Sequence, residues 1–166
     1  METTTTIIGI LFVAMMVIPI ILLNNAHRKK ENELRNSLKN LAKEHSLTVS
    51  EQDMWRNAII GIDKASRKVL FCRKDKKEME KTVIDLREVK ECKAVNISRS
   101  VGSGNGVERP VDKLELAVSW KAAEKPEVFL EFFNADDSLQ MGQIQQLADK
   151  WAGIMNDNLT RMRKTG

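Results

Sequence analysis

The pattern of apolar and polar positions changes twice along the chain. From Thr3 to Leu23 the sequence TTTTIIGILFVAMMVIPIILL carries no charge. At about 1.5 Å per residue such a run spans a hydrocarbon core of about 30 Å, and it predicts one transmembrane helix. Residues 28–45, RKKENELRNSLKNLAKEH, then place Leu34, Leu38 and Leu41 at helical spacing, with Glu31 one turn before Arg35. That predicts a helical stalk whose leucine stripe packs on the protein's own domain.

Beyond the stalk the period falls to two, the signature of antiparallel strands. Strands are predicted at 47–50, 58–62, 68–73, 82–86, 89–97, 113–121 and 127–133. The clearest is KLELAVSWK, with Leu114, Leu116, Val118 and Trp120 on one face and Lys113, Glu115, Ser119 and Lys121 on the other. In EVFLEFF the alternation sends Val128, Leu130 and Phe132 inward. Phe129 and Phe133 then need a cover from the stalk or the last helix. DKASRK at 63–68 reads as a polar hairpin connection, and GSGNG at 102–106 as a flexible loop, because a strand and not a helix follows it.

A long amphipathic helix closes the chain. Asp137 and Gln140 have the spacing of a capping box, and Ile144, Leu147, Ala148, Trp151, Met155, Leu159 and Met162 form one apolar stripe. Trp120, Trp151, Leu147 and Met155 are expected to be structural. The predicted fold is α+β: an N-terminal transmembrane helix and stalk, then a bent antiparallel sheet of six or seven strands capped by the C-terminal helix. The expected segments are 1–27 with the span, 28–46 as a basic juxtamembrane stalk, and 47–166 as the domain.

Charge sets the orientation and narrows the partners. Residues 1–30 hold three of the 27 basic and one of the 23 acidic residues, which leaves the remainder at only +2. A nearly neutral domain with interspersed signs lacks the basic face that phosphate backbones require, so nucleic acid is excluded as a partner. Arg28, Lys29 and Lys30 beside the apolar run place the N-terminus outside and the domain in the cytoplasm, at the inner or plasma membrane. The same three residues, with Lys64, Arg67 and Lys68, are the candidate contacts for anionic lipid.

No constellation for chemistry emerges. His27 and His45 are the only histidines, the chain has no tyrosine, and Asp63, Asp85, Asp112, Asp136 and Asp137 sit at or near turns or caps. No catalytic residue, metal site or cofactor is expected. Cys72 and Cys92 lie in apolar strands and read as two buried thiols, with a bridge between them as the alternative in an oxidising compartment.

Antiparallel strands followed by one amphipathic helix with a central Trp151 resemble a pleckstrin-homology-like domain. The span, LKNLAKEH and DMWRNAIIGIDKASRKVLF together look like small uncharacterised bacterial single-pass membrane proteins carrying such a domain. The resemblance implies a nearly closed sheet plugged by the helix, and binding of peptides or proteins along a sheet edge or beside the helix. It also implies a basic hairpin for inositol lipids. Here Lys64, Arg67 and Lys68 crowd that turn, but VLFCRK lacks the basic-x-Arg triplet. The expected function is a membrane-tethered interaction or scaffold module that binds a protein partner or its own copy. An anionic-lipid reader is the first alternative, and an enzyme with a site assembled only in three dimensions the second.

Overall fold

The computed structural model describes Met15 and residues 28–75, 78–97, 113–134 and 142–165. Helix α1 covers 28–44. Seven strands follow: β1 Glu51–Trp55, β2 Ala58–Asp63, β3 Lys68–Asp75, β4 Glu78–Asp85, β5 Val89–Ile97, β6 Lys113–Trp120 and β7 Val128–Asn134, before helix α2, Gly142–Thr165. All neighbouring strands run antiparallel, in two sheets of order β1-β2-β3-β4 and β5-β6-β7. Two separate sheets thus replace the single bent sheet that the alternation predicts.

The expected membrane span is corrected. Among the described residues no helix is long and apolar enough to cross a membrane, and 3–23, Met15 apart, lie outside them. The charged faces of α1 suit water, while its single stripe of Leu34, Leu38, Leu41 and Ala42 packs on Ile59, Leu70 and Cys72, the outer face of the four-stranded sheet. The inner face of that sheet carries Ile60, Ile62, Val69, Phe71 and Ile84 into the main core, where they meet Leu114, Leu116, Val118 and Leu130 from the second sheet. With both faces covered, all six residues of β2 are buried. Gly61 is required there, since a Cβ would stand 2.9 Å from Val49 Cγ1 and 3.2 Å from Leu38 Cδ2.

Helix α2 closes the open side of the sandwich. Ile144, Ala148, Trp151, Met155 and Leu159 are buried, and Leu147 is partly buried against the same core. Trp151 is fully enclosed and donates its indole N–H to Asp53 Oδ2 at 2.9 Å. Asn156 treats β5 as a strand neighbour would, accepting from Cys92 N at 3.1 Å and donating to Cys92 O at 2.8 Å. That shields an edge otherwise open to pairing. Trp120, 8% exposed, donates to Pro126 O at 2.8 Å under the Lys125 ammonium, 3.6 Å from its ring centroid. The four expected structural residues thus all face the core.

Local geometry departs from simple alternation in two places. The first strand is Glu51–Trp55, not 47–50, so the first hairpin turns at Arg56 and Asn57, and DKASRK joins β2 to β3. In β7, Leu114 opposes Phe133 while Glu115 opposes Glu131, which leaves Phe132 as the extra residue of a bulge. The bulge turns both Phe132 and Phe133 into the core, and of the three β7 phenylalanines Phe129 alone stays outside, 49% exposed. The expected capping box at 137–140 and the 102–106 loop lie outside the described residues.

Candidate functional site

Two surfaces flank the C-terminal end of α1. That end is built as a left-handed cap: Ser46 has φ 55°, its N–H donates to Lys43 O at 3.1 Å, and the Leu47 N–H donates to Ala42 O at 2.7 Å. The chain then turns into 47–50, which are pinned by Thr48 N–H donating to Asp63 Oδ2 at 2.8 Å.

On one side a groove runs between α1 and the outer edge of β1. Its apolar floor is Leu38, Ala42, Leu47 and Val49, its rim on the helix Lys39 and Lys43, and its far wall the 48–52 backbone. It encloses about 790 Å³. Because β1 is the end strand of its sheet, its outer backbone groups have no strand neighbour among the described residues. Lys39 and Lys43 are exposed and make no ion pair among the described residues. Glu51 behaves otherwise: it pairs with Lys64 at 3.0 Å and Lys150 at 3.6 Å. The Lys64 hydrogen bond and charge, and after them Lys150, hold its carboxyl below the ordinary range.

On the other side lies a small basic pocket lined by His45, Ser46, Leu47, Ala65, Ser66, Arg67, Lys68 and Arg87. Asp63, 3% exposed, organises its turn, since its Oδ1 accepts from Ala65 N and Ser66 N at 2.9 Å each. The backbone N–H groups of Ser66 and Thr48 hold its carboxyl below the usual range. Arg67 takes a left-handed conformation, φ 58°, and its carbonyl accepts from Leu86 N at 2.9 Å, which ties the β2–β3 turn to the β4–β5 turn. Arg87 is clamped on Asp85, 2.9 Å from Nε to Oδ1 and 2.6 Å from Nη2 to Oδ2. That hydrogen-bonded guanidinium draws the Asp85 carboxyl downward.

The six expected lipid contacts do not form one surface. Arg28 and Lys29 line a shallow polar surface at the start of α1. Lys74 Nζ reaches Glu33 near that same start at 2.5 Å, whereas Lys68, at the other end of β3, lines the pocket with His45. Helix α1 therefore runs antiparallel to β3, and its length of about 25 Å separates Arg28, Lys29 and Lys30 from the turn. Within the turn, Lys64 leaves the group for Glu51, while Arg67 and Lys68 stay at the pocket. Lys43, Ser66 and Arg87 were not singled out by sequence. Lys43 was signalled by charges flanking the buried stripe, but Arg87 depends on the strand order.

Cys72 and Cys92 are free thiols in different layers, Cys72 under α1 and Cys92 in the main core beside Met155 Sδ at 3.7 Å. Burial pushes them up to about 11 and about 12. Among the described residues no three His, Cys, Asp or Glu side chains converge to hold a metal ion. No family model, curated protein or solved structure matches the chain.

Proposed function

We propose that this chain is a protein-interaction module that takes an extended segment of a partner protein along the free edge of β1, beneath α1. The observation that carries this reading is the open edge itself, set beside an apolar groove. The β1 backbone offers a ladder of hydrogen bonds, and the half-buried Leu47 and Val49, backed by the buried Leu38 and Ala42, offer an apolar face to every second side chain of an added strand. Lys39 and Lys43 on the rim define the partner's chemistry: alternating apolar residues with Asp or Glu placed to meet the two ammonium groups. Binding along a sheet edge is also a mode expected of the pleckstrin-homology-like domains that the order of elements in the sequence resembles.

The reading is tested by selecting peptides from a random display library against the full chain. The expected hits are extended acidic-apolar segments whose binding falls at least about tenfold when Lys39→Glu and Lys43→Glu are combined. Hits without acidic residues, or hits that bind the double variant equally well, contradict it. Sedimentation showing that the chain pairs with its own copy through β1 does so too.

A further inference from the structure

We infer that the outer face of the three-stranded sheet docks a basic amphipathic helix of a partner protein. That face belongs to the other sheet from the β1 groove, and the inference does not depend on what the groove binds.

Register defines the face. Cys92, Leu116 and Leu130 enter the core, so alternation sends their strand neighbours outward. Across the strands Ala117 then lies between Lys93 and Phe129, Glu115 between Val95 and Glu131, and Lys113 beside Ile97. Phe129 is 49% and Ile97 41% exposed; Met15 apart, they are the exposed large apolar side chains among the described residues, and they share this one face. Neither they nor Val95 belongs to a buried cluster. The outer face of the four-stranded sheet, by contrast, carries the leucine stripe of α1.

Charge gives the face its sign. Glu115 lies midway between Phe129 and Ile97, directly across from Glu131, and like charges in that relation disfavour each other. Glu131 is neutralised within the chain by Arg73 and by Lys113 at 3.5 Å, while Lys93 turns to Glu91 at 3.0 Å. Glu115 is half-buried and makes no hydrogen bond or ion pair among the described residues. The carboxylate at the centre of the face therefore lacks a cation, and a partner's Arg or Lys supplies one. A second copy packed about a two-fold axis at this point would set Glu115 against Glu115, so the occupant is a different chain.

Spacing defines the partner's form. Three strands about 4.8 Å apart make a face about 10 Å wide, the diameter of one helix. Phe129 and Ile97 sit at opposite corners, four residues apart along the strands and two strands apart across them. That is a diagonal of about 17 Å, which a helix covers in about eleven residues, or three turns. The expected partner thus carries apolar side chains about eleven positions apart, with an Arg or Lys one or two turns after the first to reach Glu115.

The probe is a display library of helix-constrained peptides, selected on the full chain with Phe129→Ser as the counter-target. Hits with that pattern are expected to bind the parent chain at least about tenfold more tightly than Phe129→Ser or Glu115→Gln, and to bind Lys39→Glu/Lys43→Glu as tightly as the parent. Glu115→Gln should melt at or above the parent temperature, because it relieves the repulsion with Glu131; a lower melting temperature would give Glu115 a role inside the fold and overturn the site. Failure to recover Phe129-dependent hits, hits without a basic residue, or equal binding by Glu115→Gln overturns it too. Altered amide signals from 98–112 in Phe129→Ser without peptide would assign the face to the chain's own segment. A dimer in sedimentation that Phe129→Ser dissociates would assign it to a second copy, and either result contradicts the inference.

Discussion

The indole N–H of Trp55 on β1 donates to the carbonyl of Phe132 on β7 at 2.8 Å, and the two rings stack with centroids 4.4 Å apart. The bulge explains the pairing: as the extra residue of β7, Phe132 has no direct partner across β6, and the indole supplies a donor to its carbonyl. One side chain thereby joins the two sheets by both packing and a hydrogen bond. Replacing Trp55 by Phe keeps an aromatic ring but leaves a buried carbonyl without its donor, an expected loss of about 1–3 kcal/mol in denaturant unfolding. Trp55→Ala is expected to cost about 3–5 kcal/mol. A Trp55→Phe variant as stable as the parent chain would show that the hydrogen bond contributes nothing.

Docking of α1 can be read from the thiols. Cys72 is covered by α1 and Cys92 by the main core, and burial raises both out of the reactive range, to about 11 and about 12. Neither is expected to react with a thiol reagent at pH 8 in the native chain. Leu38→Asp, which charges the fully buried centre of the α1 stripe, is expected to expose Cys72 and leave Cys92 protected. Simultaneous labelling of both would mean that α1 and the sandwich open as one unit.

Gly61 lets α1 and the 47–50 segment approach β2. Gly61→Ala forces Val49 away from a Cβ at 2.9 Å and is expected to cost about 1–3 kcal/mol. It should also increase Cys72 labelling in the assay above. A neutral effect would mean that the contact relaxes without loosening α1.

Acid unfolding should report on Asp63. Its carboxyl is lowered by the Ser66 and Thr48 backbone N–H groups, so it contributes stability that is present above the ordinary carboxylate range. That contribution is lost as the pH falls through its depressed folded value. In chemical unfolding measured from pH 6 downward, stability should decline below about pH 4. Asp63→Asn should start less stable by about 1–3 kcal/mol and decline less steeply over that window. Parallel pH profiles for the two proteins would remove Asp63 as a contributor.

Much of the sandwich was legible because burial on one face imposes alternation. KLELAVSW reads directly, and the α2 stripe points to Trp151 and Met155. Strand β1 escaped because Glu51 and Asp53 oppose Ile62 and Ile60, whose side chains enter the main core. Their carboxylates are satisfied there by Lys150 and the Trp151 indole, partners nearly a hundred residues away. Phe133 escaped because a bulge shifts the register without changing the composition. The basic turn was legible only as a group: its separation into Lys64 on one side and Arg67 with Lys68 on the other depends on the positive φ of Arg67 and on Glu51. The stripe on α1 did indicate packing on the domain. The transmembrane expectation instead rested on residues 3–23, outside the described helices.

Amide hydrogen exchange of the full chain, with and without a peptide from the display selection, addresses the added-strand mode of binding most directly. An added strand is expected to slow exchange at amides within 47–53, with lesser protection along the 38–43 face of α1, and to leave the β5 edge under Asn156 unchanged. Protection that appears elsewhere on the sandwich while 47–53 exchange as in the free chain would show that β1 is not the docking edge.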